Sequence, residues 1–284
     1  MFSSNIDDRG INFRGKFMRK ANFIPEITDD LVKMYDDYLV PSIYAQWGHH
    51  LIDIAALELG HDVLDAACRT GTVTCTAQLE VGFGGKVTGL DHNEEMLAIA
   101  SKKNPRIDWQ LGNLAALPFE DNSFDRVLCQ FALMFIHNRV AATKEMLRVC
   151  KPDGQVIIAI WAPLDHSKGY TALVNLIRQY AGERAASNLA SPWSLGVPGK
   201  MDALLLSAGV NEYECHERVG LARFPSVESF VEVNLRSAGE FHKLGEEDSD
   251  KLMSAAGHVL APFVVSNGEI IAELNANVFV IYPD

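Results

Sequence analysis

The chain has 284 residues, 48% of them hydrophobic, and a formal net charge of -12. That length buries one large core, or one core with a smaller cap. The acidic excess, with no run of Lys or Arg to offset it, repels a phosphate backbone and argues against a nucleic-acid partner. Met1–Gly10 lacks the basic start and apolar stretch of a secretory signal, and no segment reaches the roughly 18 to 20 apolar residues that span a bilayer. A soluble, cytoplasmic chain is expected. Cys68, Cys75, Cys129, Cys150 and Cys215 are odd in number and widely spaced, which suits reduced, small apolar side chains.

Two helices are predicted before any strand. Thr28 is placed as an N-cap, and Leu31, Met34, Tyr35, Tyr38 and Leu39 share one helical face. Pro41 is expected to end that helix, and Ile43, Trp47, Leu51 and Ile54 to stripe a second one closed by Gly60. From Asp62, short apolar runs alternate with helical patterns, the signature of βαβ units and a parallel sheet. Strands are predicted at Val63–Ala67, Val87–Asp91, Ile107–Leu111, Phe124–Phe131 and Gln155–Trp161, with helices over Asn93–Ser101 and Asn138–Cys150. Asp153 and Gly154 are expected to turn the chain into the fifth strand.

After Trp161 the rhythm changes. Helical stretches at Tyr170–Tyr180 and Lys200–Leu206 are joined by a segment with Pro192, Gly196, Pro198 and Gly199. This region, 162–209, is expected to form a helical lid over the substrate. Strands near Tyr213–Leu221 and Ala276–Tyr282 then flank helices that begin near Ser226 and Glu246, where acidic residues suit the helix dipole. The expected organisation is therefore 1–60 helical, 61–161 cofactor-binding core, 162–209 lid and 210–284 the rest of the sheet.

Val63–Ala67 runs into the small turn Cys68-Arg69-Thr70-Gly71, where backbone N–H groups can face a ligand at a helix start. About 20 residues on, Asp91 ends an apolar run, where an acidic side chain accepts hydrogen bonds from both hydroxyls of a ribose. A dinucleotide site needs three glycines in G-x-G-x-x-G spacing; this stretch holds only Gly71. The choice rests on later segments: Gly112-Asn113-Leu114 with Leu117-Pro118-Phe119, then Ser123-Phe124-Asp125, then Arg148-Val149-Cys150-Lys151-Pro152-Asp153-Gly154.

In that order the motifs resemble class I S-adenosylmethionine (SAM) dependent methyltransferases, in the branch of quinone-pathway C-methyltransferases and natural-product small-molecule methyltransferases. The likeness in rhythm runs from about residue 30 to the end, and in motifs from about 60 to 162. It implies an α/β, Rossmann-like, seven-stranded and mostly parallel sheet, with one antiparallel strand at Ala276–Tyr282. It further implies SAM as cofactor, S-adenosylhomocysteine as product, and a small-molecule acceptor whose O, N or C nucleophile takes the methyl group. A homodimer is compatible with it.

Carried over by residue, the resemblance puts the methionine part of SAM over Ala67, Cys68, Arg69 and Gly71, with Asp65 supporting the turn. Asp91 takes the ribose, His92 and Met96 line the adenine, and Gly112, Asn113 and Leu114 meet its amino edge. Gln130 and Phe131 pass under the methionine chain, while Trp47 and Tyr38 close over its carboxylate. Relatives usually carry glycine where this chain has Ala67 and Arg69. Arg69 is expected either to point to solvent or to pair with the SAM carboxylate; two rival readings are a cyclase-like, non-methylating enzyme and a non-catalytic partner subunit. His137 and His166 are the candidate general bases, with Asn138 as a helix cap. His216 is a further histidine within possible reach of a substrate. His49, His50 and Asp53 read as an exposed helical surface, so no metal is expected. Trp161, Tyr170 and Trp193 read as apolar filling, with contact to an aromatic substrate as the alternative.

Overall fold

The computed structural model describes residues 27–283. Its centre is a seven-stranded sheet in the order β3-β2-β1-β4-β5-β7-β6. The strands are β1 (Asp62–Ala66), β2 (Lys86–Asp91), β3 (Asp108–Leu111), β4 (Phe124–Gln130), β5 (Cys150–Trp161), β6 (Glu214–Phe224) and β7 (Ile270–Ile281). β1 to β5 pair in parallel, and β7 runs antiparallel to both β5 and β6. Parallel strands covered on both faces need no polar side, and Val63–Ala66 is accordingly buried at every residue. Strand order reverses between β1 and β4, the point where open α/β sheets bind ligands at their carboxyl edge.

Helices α1 (Ile27–Met34), α2 (Ala45–Ala55), α3 (Thr72–Val81), α4 (Glu94–Lys103) and α5 (Arg139–Val149) accompany the first five strands. Asn93 and Asn138 cap α4 and α5 through side-chain oxygens that accept from backbone N–H groups. Helix α1 already includes Ile27, so Thr28 lies within the helix. Pro41 does not end the helix. The chain stays helical from α1 through a π-helical segment, Tyr35–Tyr44, into α2, and the Ala45 N–H bonds to the Val40 carbonyl five residues back. The wider π turn spares the proline ring its clash and tolerates its missing donor. Helix α2 then stops at Ala55, with Ala56 in the left-handed region (φ 44°), earlier than Gly60. Asp153 and Gly154 fall inside β5, where the register slips between the pairs Phe124–Cys150 and Arg126–Gln155; the expected turn is a bulge within the strand.

The segment predicted as a lid divides in two. Helix α6 (Lys168–Ala190), broken at Gly182, packs against α9 (Glu246–Val259) and α8 (Val227–Ser237) beside the site. Helix α7 (Lys200–Ala208) packs on α5 instead and covers the sheet as an ordinary crossover helix. Two contacts seat the π segment and α2 on the sheet. The Gln46 amide exchanges hydrogen bonds with the backbone of Leu221 on edge strand β6. Trp47 lies on Gly220, where an added Cβ would sit 2.4 Å from the indole Cζ2.

Candidate active site

Residues 67–71 form a tight turn between β1 and α3. Ala67 (φ 65°), Arg69 (φ 52°) and Gly71 (φ 77°) are left-handed, which costs a non-glycine residue roughly 1–2 kcal/mol. Gly71 is also required for space, because a Cβ there would meet Trp109 Cη2 at 2.4 Å. The turn is held by Cys68 N–H donating to the Leu90 carbonyl (2.9 Å) and Arg69 N–H donating to Asp91 Oδ2 (2.8 Å). Phe131, at the tip of β4, is a third left-handed non-glycine residue (φ 48°) facing the same place. Strain of this kind concentrates where a ligand is held.

Asp91 is 3% exposed, and its Oδ1 accepts the Asn93 N–H (2.9 Å) and lies 3.4 Å from His92 Nδ1. Beside it His92 is exposed and Met96 half-buried on the first turn of α4. Gly112 N–H donates to the Asp91 carbonyl, which brings the β3–β4 loop across the end of β2. Asn113 is exposed, and its Oδ1 accepts the Ala115 N–H (2.9 Å); the second lone pair remains for a ligand. The Leu114 side chain is buried beneath them. The Gln130 Oε1, at the end of β4, is a buried acceptor with no hydrogen-bond partner among the described residues.

Asp65, 1% exposed, accepts the Thr74 hydroxyl and so ties the turn to α3. Burial, opposed by that hydrogen bond, pushes its carboxyl from 3.8 up to about 7. A folded-state value above the unfolded one favours the fold below about pH 4, and this contribution is lost as pH rises towards about 7. Asp65→Asn is therefore expected to gain Tm relative to wild type across that window and to exceed it above pH 7. Paired thermal melts from pH 4 to 8 check this; a difference independent of pH would refute the assignment.

Arg69 does not point to solvent, the first of its two expected placements. Its guanidinium turns inward, donating to the Tyr35 hydroxyl (3.1 Å) and to the Phe131 carbonyl (2.6 Å). It lies 5.2, 5.3 and 5.7 Å from the ring centroids of Tyr35, Tyr44 and Phe135. Burial holds the Tyr35 phenol above its ordinary range, against the pull of Arg69. No carboxylate among the described residues pairs with this cation. Tyr35 and Tyr44 stack at 5.2 Å although they are nine residues apart. At the about 4.4 residues per turn of a π-helix, nine residues make nearly two whole turns, whereas in an α-helix they end on opposite faces. The sequence reading missed both tyrosines because it wound the segment as an α-helix.

Trp47 and Tyr38 are corrected by the same geometry. Trp47 is 1% exposed and packs edge-on against the stacked pair Phe131 and Trp161, behind the site. Tyr38 has Asp37 and Glu232 among its charged neighbours. Lys103 adds a second tether, joining Asp36 to the Thr70 carbonyl.

Beyond the Arg69 cage lies a cavity of about 280 Å³, with Tyr44 and Phe135 shared by both walls. Its other lining residues include Leu39, Ile43, Trp161, Tyr170, Trp193 and Asn234. Trp161, Tyr170 and Trp193, read from the sequence as filling, thus face a space as well as one another. His137 and His166 are both exposed and absent from the cavity wall; the loops that carry them turn outward, so the expected bases are not brought to the site.

Residues 64–158 match the family described as a methyltransferase domain. The demethylmenaquinone methyltransferase of Renibacterium salmoninarum is 33% identical over 149 residues, 51% of this chain and 62% of that protein. The ubiquinone/menaquinone biosynthesis C-methyltransferase UbiE of Cronobacter sakazakii is 30% identical over 187 residues, 61% of this chain and 74% of that protein. The chain belongs to the class I SAM-dependent methyltransferases. Within that family it keeps the seven-stranded fold: the YcgJ protein of Bacillus subtilis superposes with a TM-score of 0.55 at 18% identity, covering 84% of this chain and 99% of that one. It holds a half-buried Arg69 in the turn between β1 and α3, where the resemblance leads one to expect glycine. The chain spans less than two thirds of the Renibacterium relative's length. Among the described residues, no helix is long and apolar enough to cross a membrane.

Proposed function

We propose that the protein transfers a methyl group from SAM to a small, largely apolar acceptor held in the cavity beside Arg69. The observation that carries this reading is the adjacency of two complementary compartments separated by Tyr44 and Phe135. On one side the donors and acceptors match SAM. Asp91 would hold the ribose hydroxyls, the orphaned Gln130 Oε1 suits the α-ammonium, and the uncompensated Arg69 cation suits the carboxylate. His92, Met96, Asn113 and Leu114 would bracket the adenine. On the other side the wall is aromatic and aliphatic, in keeping with the ring substrate named in the Renibacterium relative, a demethylmenaquinone.

When bound, SAM supplies an electrophilic methyl group whose leaving group needs no protonation. The protein's part is then to align the acceptor and keep water out. The buried Phe131–Trp161 stack, with centroids 3.6 Å apart, makes a rigid floor for that alignment. The cage around Arg69 closes the wall towards the π segment. The acidic chain favours a metabolite in the cytoplasm over nucleic acid. Calorimetric titration with SAM is expected to show saturable binding, and incubation with aromatic acceptors to release S-adenosylhomocysteine. Absence of binding up to about 1 mM SAM would overturn the reading.

A further inference from the structure

Two residues that line the acceptor cavity carry buried hydrogen-bond donors. The Tyr170 hydroxyl and the Trp193 indole Nε1 are buried, in side chains 1% and 6% exposed, and neither makes a hydrogen bond to a described residue. Their rings lie 5.1 Å apart and both line the cavity. The Asn234 amide is close enough to act on the Tyr170 phenol as a hydrogen-bonding neighbour; its Nδ2 donates to the Phe230 carbonyl (2.8 Å), and the Tyr170 hydroxyl has no described acceptor in hydrogen-bonding geometry. Burial raises the phenol well above its ordinary range. Tyr170 is therefore a neutral donor, not a base.

A buried donor without an acceptor costs stability in the ligand-free protein, and two in one apolar wall are retained only against a penalty. We propose that Tyr170 and Trp193 together recognise an oxygen on the methyl acceptor, a phenolic or carbonyl oxygen borne by a planar ring. They are specificity residues: the cavity accepts planar apolar rings by shape, and this pair selects those that carry an oxygen at its inner end. A site built to hydrogen-bond an oxygen rejects the isostere that lacks it far more strongly than an apolar pocket rejects a methylene. The inference rests on the cavity being the acceptor site.

The test compares 1-naphthol with 1-methylnaphthalene, two probes of nearly equal shape, by calorimetric titration of the full chain. Wild type is expected to bind 1-naphthol at least tenfold more tightly. Tyr170→Phe should reduce that preference to about threefold or less by weakening 1-naphthol alone, with 1-methylnaphthalene and SAM affinities unchanged. Trp193→Phe should also narrow the preference. Because Tyr170→Phe removes an unsatisfied donor, the ligand-free variant should melt no lower than wild type, which a hydroxyl with a structural role would not allow. Equal binding of the two probes by wild type, or equal weakening of both by Tyr170→Phe, would overturn the donor pair while leaving methyl transfer intact. If SAM titrates normally and neither probe binds, the cavity assignment itself falls, and the donor pair with it.

Discussion

Replacing Asp91 by alanine is expected to weaken SAM binding by roughly 10- to 150-fold. The carboxylate is placed to make charged hydrogen bonds worth about 1.5–3 kcal/mol, and each 1.4 kcal/mol is a factor of ten. Asp91 has a second duty that amplifies the loss: its two oxygens accept the N–H groups of Arg69 and Asn93. Removing it leaves both donors unpaired and frees the strained turn against which we propose the methionine part lies. Asp91→Asn separates the duties, since its amide oxygen can keep one backbone bond while the charge is lost. Calorimetry on the folded alanine variant decides the matter. Unchanged SAM affinity would remove Asp91 from the cofactor site.

Arg69→Ala should lower stability by about 2–4 kcal/mol, or roughly 5–10 °C in Tm for a chain of this size. Two charged hydrogen bonds disappear, to the Tyr35 hydroxyl and the Phe131 carbonyl, together with the cation's contacts on three rings. The cost of burying an unpaired cation is relieved at the same time, which keeps the net loss below the sum of the parts. Arg69→Gly loses the same contacts but relaxes a left-handed backbone, so it should melt about 2–4 °C above the alanine variant. Both variants should bind SAM at least tenfold more weakly if the guanidinium receives the SAM carboxylate. Melting within 1 °C of wild type would show that the cage is not structural. A large gain in SAM affinity, by contrast, would mark Arg69 as a residue that obstructs the cleft, and would favour the non-methylating readings.

The two experiments meet at one place. Arg69 donates its backbone N–H to Asp91 and its side chain to Phe131 and Tyr35, linking the tips of β2 and β4 to the π segment. Removing either partner disturbs the other, so the double variant should lose less than the sum of the single ones.

The core fold was legible because its signals are short-range. Apolar runs of strand length, the turn after β1, the acid at Asp91 and the Asn138 cap are decided within a few residues, by backbone preference and by periodicity. The same locality set the limits of the reading. Whether Pro41 ends a helix depends on whether the flanking residues gain by π winding, and here they gain by stacking Tyr35 and Tyr44 around a cation. The expectation for His137 and His166 failed because nearness to a sheet edge in sequence does not settle which way a loop turns.

By itself, the sequence determined the sheet, the tight turn after β1, the acid at the end of β2 and the family. Only tertiary structure decided where Arg69 points, which aromatic residues surround it, and that Tyr170 and Trp193 line one cavity with their donors buried. The physical reason is distance along the chain. Arg69 meets partners 34 and 62 residues away, and the cavity draws its wall from residues between Leu39 and Leu274. Whether a polar group is buried with or without a partner depends on everything that packs around it, and no local pattern of residues records that.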